Sequence, residues 1–177
     1  PWILVDMALG ILFFALGKTT DLRTAAIVTA LVGLALLPIQ WMVKRLLRRD
    51  IDLLGGMALF GVVMLILSAG FSWYFDTEFA VQLKASVMGS IAGSLFFLDA
   101  WFGGRWLAKR LASYLAYRDL QLTRLAWGMA LTSFLMAGIN LFIALSFSKD
   151  IWLYYTTWGD ILIVILLTQW TINWARR

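Results

Sequence analysis

Four polar side chains interrupt stretches that are otherwise apolar: Asp6, Asp99, Asn140 and Asp160. A carboxylate in such a place can take up a proton, hold a cation or pair with a base. An ionised Asp at the centre of a lone membrane span costs about 2.5–3.5 kcal/mol on insertion scales, so it turns toward protein or water. An amide there hydrogen-bonds across helices, worth about 0.6–2 kcal/mol. What the chain lacks narrows the chemistry. It has no Cys and no His. That removes disulfides, thiolate nucleophiles, imidazole bases, haem-ligating His and the usual zinc sites. The carboxylates are scattered over separate segments, and Ser and Thr have no recognisable base. Gly residues lie in apolar segments rather than in a strand-to-helix phosphate loop. No catalytic residue, cofactor site or metal site is predicted, and the expectation is a protein that is not an enzyme.

The segments that carry these residues read as membrane spans. Of 177 residues, 62% are hydrophobic and 14% charged; a soluble domain has about half and about a quarter. Apolar runs of about 20 residues recur along the whole length. They continue to the C-terminal end, which excludes a lone signal peptide, and they lack the alternation of barrel strands. The runs cover 2–17, 24–43, 51–75, 81–102, 125–147 and 155–175. The fold class predicted is all-α: a polytopic transmembrane helical bundle of five to six membrane segments in a single integral membrane domain. The first run, at roughly 24 Å, is barely long enough to cross. Pro38 predicts a kink in the second. Gly89 and Gly93 in the fourth form a small-xxx-small pair flanked by Ser86, Ser90 and Ser94. Close packing within the chain is the leading expectation for that face, with a homo-oligomer as the second.

Residues 105–124 are basic and amphipathic. Leu107, Leu111, Tyr114 and Leu115 fall on one helical face, and Arg105, Lys109 and Arg110 lie elsewhere. Such a cytoplasmic amphipathic helix lies in the interface with its cations on anionic headgroups, or serves as an ordinary connector. If the connections alternate sides, 11 of the 15 basic residues fall on one side, including Lys44, Arg45, Arg48, Arg49, Arg105 and Arg110. That side is expected to be cytoplasmic, with the C-terminus inside. The ten Trp all fall near segment ends, as aromatic belts at headgroup depth require. Sorting of the cations by membrane side argues against a nucleic-acid groove.

Each polar residue has a place in this scheme. Asp6 pairs with a base such as Lys44, reaches the headgroups, or marks a functional site. Asp99 is expected to pair with Arg105 at the interface. Asp160 is the strongest candidate for a polar cavity opening outward, with Lys84 and Lys149 as partners within reach. Asn140 is expected to bond across helices. Phe147-Ser148-Lys149-Asp150 reads as a turn, with Asp150 capping the last segment.

Three pieces together resemble the bacterial intracellular septation protein A family. The first is Asp6, then Ile11-Leu12-Phe13-Phe14, then Lys18 and Asp21. The second is Asp76 with Phe79 and Lys84. The third runs from Asn140 through Phe147-Ser148 to Asp150 and Trp152. The chain departs from the family pattern at Leu9 and at Lys84-Ala85-Ser86. The resemblance implies a multi-pass protein of the bacterial inner membrane, tied to envelope integrity, septation and elongation, with no established enzymatic reaction. It implies division or elongation proteins as partners. Two alternatives stand beside it. In a small transporter or lipid-handling protein, Asp6, Asn140 and Asp160 would line one cavity. In an accessory subunit of a larger membrane complex, the Gly89/Gly93 face would be the contact.

Overall fold

The computed structural model describes residues 8, 9, 11, 12, 15, 16, 22–47, 57–75 and 77–176. All regular structure among them is helical. The helices are α1 (Leu22–Leu47), α2 (Ala58–Tyr74), α3 (Glu78–Trp101), α4 (Leu107–Ala112), α5 (Leu122–Ser146), α6 (Lys149–Tyr154) and α7 (Asp160–Ala175). A five-residue π-turn, Tyr155–Gly159, joins α6 to α7. The chain divides into two compact units, Pro1–Trp73 and Tyr74–Arg177.

The first unit holds α1 and α2. Its core is Leu9, Ala30 and Val62, with Leu36 and Leu65 packed against it. α1 runs through Pro38 and continues to Leu47.

In the second unit α5 is central, packed along α3 on one side and α7 on the other. Small residues set these approaches. A Cβ added at Gly89 would lie 3.1 Å from the Ala137 Cβ, and one at Gly93 would lie 3.0 Å from the Phe134 ring. The face that carries both glycines therefore packs on α5 of the same chain. On the other side of α5, a Cβ at Gly128 would come within 2.3 Å of the Thr171 Cγ2 of α7. One turn along, the Thr132 and Thr171 hydroxyls meet at 3.2 Å, both buried.

Two helical stretches are long and apolar enough to cross a membrane, Phe79–Trp101 and Leu122–Ser146. Three shorter apolar stretches, Ile27–Met42, Leu59–Phe71 and Asp160–Ala175, accompany them. Large apolar side chains stand outward on these helices, among them Phe142 and Leu145 on α5 and Leu162 and Leu166 on α7. An apolar surface so extensive needs an apolar surrounding, and lipid supplies one. The chain is a membrane protein.

Two sequence expectations change. The basic stretch 105–124 is not one amphipathic helix. Leu107–Ala112 is a short helix, turns and irregular chain follow to Gln121, and the last three residues already belong to α5. Part of the stretch's apolar face packs into the bundle, while Trp106 and Tyr114 stay exposed. Ala108 is wholly buried with Ala100, Leu125, Ala126 and Ala175, and Leu111 and Leu115 pack on that cluster. The segment is a cap over one end of α3, α5 and α7. Likewise, the last apolar segment starts at Lys149, six residues before the apolar run suggested.

Candidate functional site

Asn140 is where three helices are tied together. It lies on the α5 face that also carries Ala137 and Ala144, both buried. These small neighbours let α3 come close enough for an amide to reach its backbone. The Asn140 Nδ2 donates to the Gln82 carbonyl at 2.9 Å and to the Ser86 Oγ at 2.8 Å, both on α3. The Asn140 Oδ1 accepts from the Trp152 indole Nε1 at 3.0 Å. Asn140 is 3% exposed. Both amide hydrogens and the carbonyl are engaged, which is close to the full capacity of the group.

The approach of Trp152 depends on the break before it. Phe147 and Ser148 are both extended, so α5 ends and α6 starts within two residues. The Trp152 N–H donates to the Ser148 carbonyl at 3.0 Å, closing the first turn of α6. The indole is thereby one turn into α6 and reaches back to α5. Asp150 does not cap this helix. Ser148 holds the cap position, and Asp150 sits exposed in the first turn, where its charge faces the positive helix end.

Asp160 opens α7, directly after the π-turn. The Asp160 N–H donates to the Tyr155 carbonyl, a wide i to i+5 bond. In an α-helix residues five apart diverge by about 140° at 3.6 residues per turn. The wider turn brings Tyr155 and Asp160 toward one face, and the Tyr155 hydroxyl lies 3.5 Å from the Asp160 Oδ1. Gly159 leaves room for the ring: a Cβ there would lie 3.1 Å from the Tyr155 Cδ2. The partner of Asp160 is thus this hydroxyl, rather than Lys84 or Lys149.

Two grooves lie among the described residues, one in each unit, and neither Asn140 nor Asp160 lines them. One, about 350 Å³, lies between α1 and α2 and is lined by Leu31, Leu34, Ile66 and Trp73 among others. The other, about 530 Å³, runs along α3 past Ser86, Ser90 and Ser94 to Leu141. Two of its three hydroxyls bond within their own helix, the Ser90 Oγ donating to the Ser86 carbonyl and the Ser94 Oγ to the Ser90 carbonyl, each at 2.8 Å, and the third, on Ser86, accepts from Asn140. Asp6, Lys18 and Asp21 lie outside the described residues, as does Asp76.

The sequence profile described as intracellular septation protein A matches residues 2–175. The chain belongs to the intracellular septation protein A family. No curated protein and no solved structure matches it.

This septation-family chain has a second polar anchor, which the sequence pointed to only as an ion pair. Asp99 is 1% exposed. Its Oδ1 accepts from the Trp106 N–H at 2.9 Å and its Oδ2 from the Ala108 N–H at 2.8 Å. Its own carbonyl accepts from the Gly104 N–H at 2.8 Å. The carboxylate therefore caps the start of α4 and does not pair with Arg105. The reversal that makes this possible needs two left-handed residues, Gly103 at φ 84° and Gly104 at φ 70°, a region that only glycine enters without strain. The signal was present as Asp99 followed four residues later by Gly103-Gly104. At the same end of the unit the Gln121 N–H donates to the Ala175 carbonyl at 2.8 Å. Arg176 pairs with Asp119 at 3.1 Å and stacks over Tyr117 at 4.3 Å.

Proposed function

We propose that this protein is a non-catalytic, multi-pass scaffold of the bacterial inner membrane that supports septation, elongation and envelope integrity through protein partners. Membership of the septation family supports the biological setting. The Asn140 clamp is the observation that carries the mechanism. Its polar atoms are spent on Gln82, Ser86 and Trp152, so the most deeply placed amide fixes helix positions rather than meeting a substrate. A transported solute would need convergent polar groups on a cavity, and Asn140 and Asp160 each bond to side chains of their own unit instead. A rigid bundle presents its connecting segments in a fixed arrangement, which is what docking of division or elongation proteins requires.

Five to six crossings, on the apolar runs, and a cytoplasmic C-terminus, on the charge count, complete the proposal. The absence of Cys makes that testable by single-Cys labelling in intact cells. Arg48→Cys and Arg110→Cys are expected to stay unlabelled by an impermeant maleimide until the membrane is opened. Lys149→Cys is expected to label from outside. The function is tested by deletion combined with crosslinking in intact membranes. Abnormal septa or cell length, together with recovery of division or elongation proteins, is the expected result. Normal shape and envelope with no such protein recovered overturns the proposal.

A further inference from the structure

The corner between α3 and α4 carries an ordered change of surface character. Phe97 and Leu98 are exposed near the end of α3, followed by Trp101 and Phe102. Trp106 is 59% exposed, and its ring lies 5.2 Å from that of Phe102. Arg105 and Lys109 are exposed on the same corner, where the Lys109 N–H donates to the Gly104 carbonyl.

The described acids do not neutralise these cations. Asp99, the nearest acid in sequence, turns its carboxylate inward to the Trp106 and Ala108 N–H groups. Asp119, the next, is taken by Arg176. Among the described residues no acid pairs with Arg105, Lys109 or Arg110. The surface thus passes from wholly apolar side chains, Phe97 and Leu98, through a rim that carries the indoles of Trp101 and Trp106, to positive charge without an acidic partner among the described residues. A bilayer presents the same order from hydrocarbon through the interface to the phosphates.

We propose that this corner binds the headgroups of anionic phospholipids, with Trp101, Phe102 and Trp106 at interfacial depth and Arg105 and Lys109 on the phosphates. The inference rests on the membrane placement proposed above. It differs from an amphipathic helix lying on the membrane, because the apolar side of α4 is already packed on the bundle. Continuity of the aromatic rim with the lipid-facing surface of α3 favours a lipid over a soluble polyanion. Guanidinium and indole N–H groups are both suited to phosphate oxygens at that depth.

The test is native mass spectrometry of the full chain in mild detergent, offered equal amounts of phosphatidylglycerol and phosphatidylcholine. The wild-type protein is expected to retain the anionic lipid preferentially. R105Q/K109Q is expected to lose that preference by on the order of tenfold, while R105K/K109R and K149Q keep it. Equal retention of both lipids by the wild type overturns the proposal, and so does an unchanged preference in R105Q/K109Q. Displacement by millimolar inorganic phosphate would reveal a general anion site and also overturn it. Carbonate extraction of the source membranes separates the two levels. A protein that stays in the pellet but shows no lipid preference overturns only this inference. A protein that washes off overturns the membrane placement as well.

Discussion

Asn140→Leu is expected to lower the unfolding midpoint of the purified protein in mild detergent by the equivalent of about 2–4 kcal/mol. Leu keeps the branching and the heavy-atom count of Asn and is somewhat bulkier, so no cavity is left and the loss comes chiefly from hydrogen bonding. Three bonds disappear, to Gln82, Ser86 and Trp152. Each interhelical bond in a membrane protein contributes about 0.6–2 kcal/mol, and a donor left without a partner adds to the loss. Trp152→Phe removes one of the three and is expected to cost about 1–2 kcal/mol. The double variant should fall short of the sum, because the Trp152 bond is already gone once Asn140 is replaced. Additive losses, or an Asn140→Leu protein as stable as wild type, would show that the clamp does not hold the helices. At matched abundance, Asn140→Leu is also expected to fail to restore septation to a deletion strain.

Asp99→Ala is the second large effect. The Trp106 and Ala108 N–H groups lose their acceptor at a corner where Ala108 is wholly buried. Loss of a cap costs about 0.5–2 kcal/mol in general, and burial of the orphaned donors raises this to about 2–4 kcal/mol. Opening of the corner frees the backbone around Arg105, Lys109 and Arg110 to enter a protease site, so trypsin cleavage within 103–121 is the sensitive readout. Faster cleavage there, with the rest of the protein resistant, is the expected pattern. Asp99→Asn retains one acceptor but turns an amide N–H against a backbone donor, and an intermediate rate is expected. Gly104→Ala should resemble Asp99→Ala for a separate reason. Its Cβ would lie 2.4 Å from the Leu122 carbonyl oxygen at a left-handed φ. Unchanged cleavage in both Asp99→Ala and Gly104→Ala would mean that α4 is held by packing alone.

Much of the helical framework was legible in order along the chain. The apolar runs 81–102 and 125–147 correspond to α3, Glu78–Trp101, and α5, Leu122–Ser146. The short break at Phe147-Ser148 was legible too, as was Asn140 as an amide that must bond across helices. The partners were not. Gln82 contributes only a backbone carbonyl, which no side-chain pattern marks, and Ser86 looked like one of several small packing residues. The 105–124 stretch misled because amphipathicity reports that one face is apolar, not what covers it. Here the ends of α3, α5 and α7 cover Ala108, Leu111 and Leu115. The π-turn was invisible because its wide hydrogen bond leaves no mark in composition.

Hydropathy is a sum over neighbours in the chain, so the sequence alone determined that this is a helical membrane protein with most of its polar groups at segment ends. Directional bonds depend on how far each helix is rotated and how closely it approaches the next, to within a few tenths of an ångström. That is why only the tertiary structure decided that Asn140 clamps α3 and α6, that Asp99 turns inward to cap α4, and that Arg105 is left with its charge facing out.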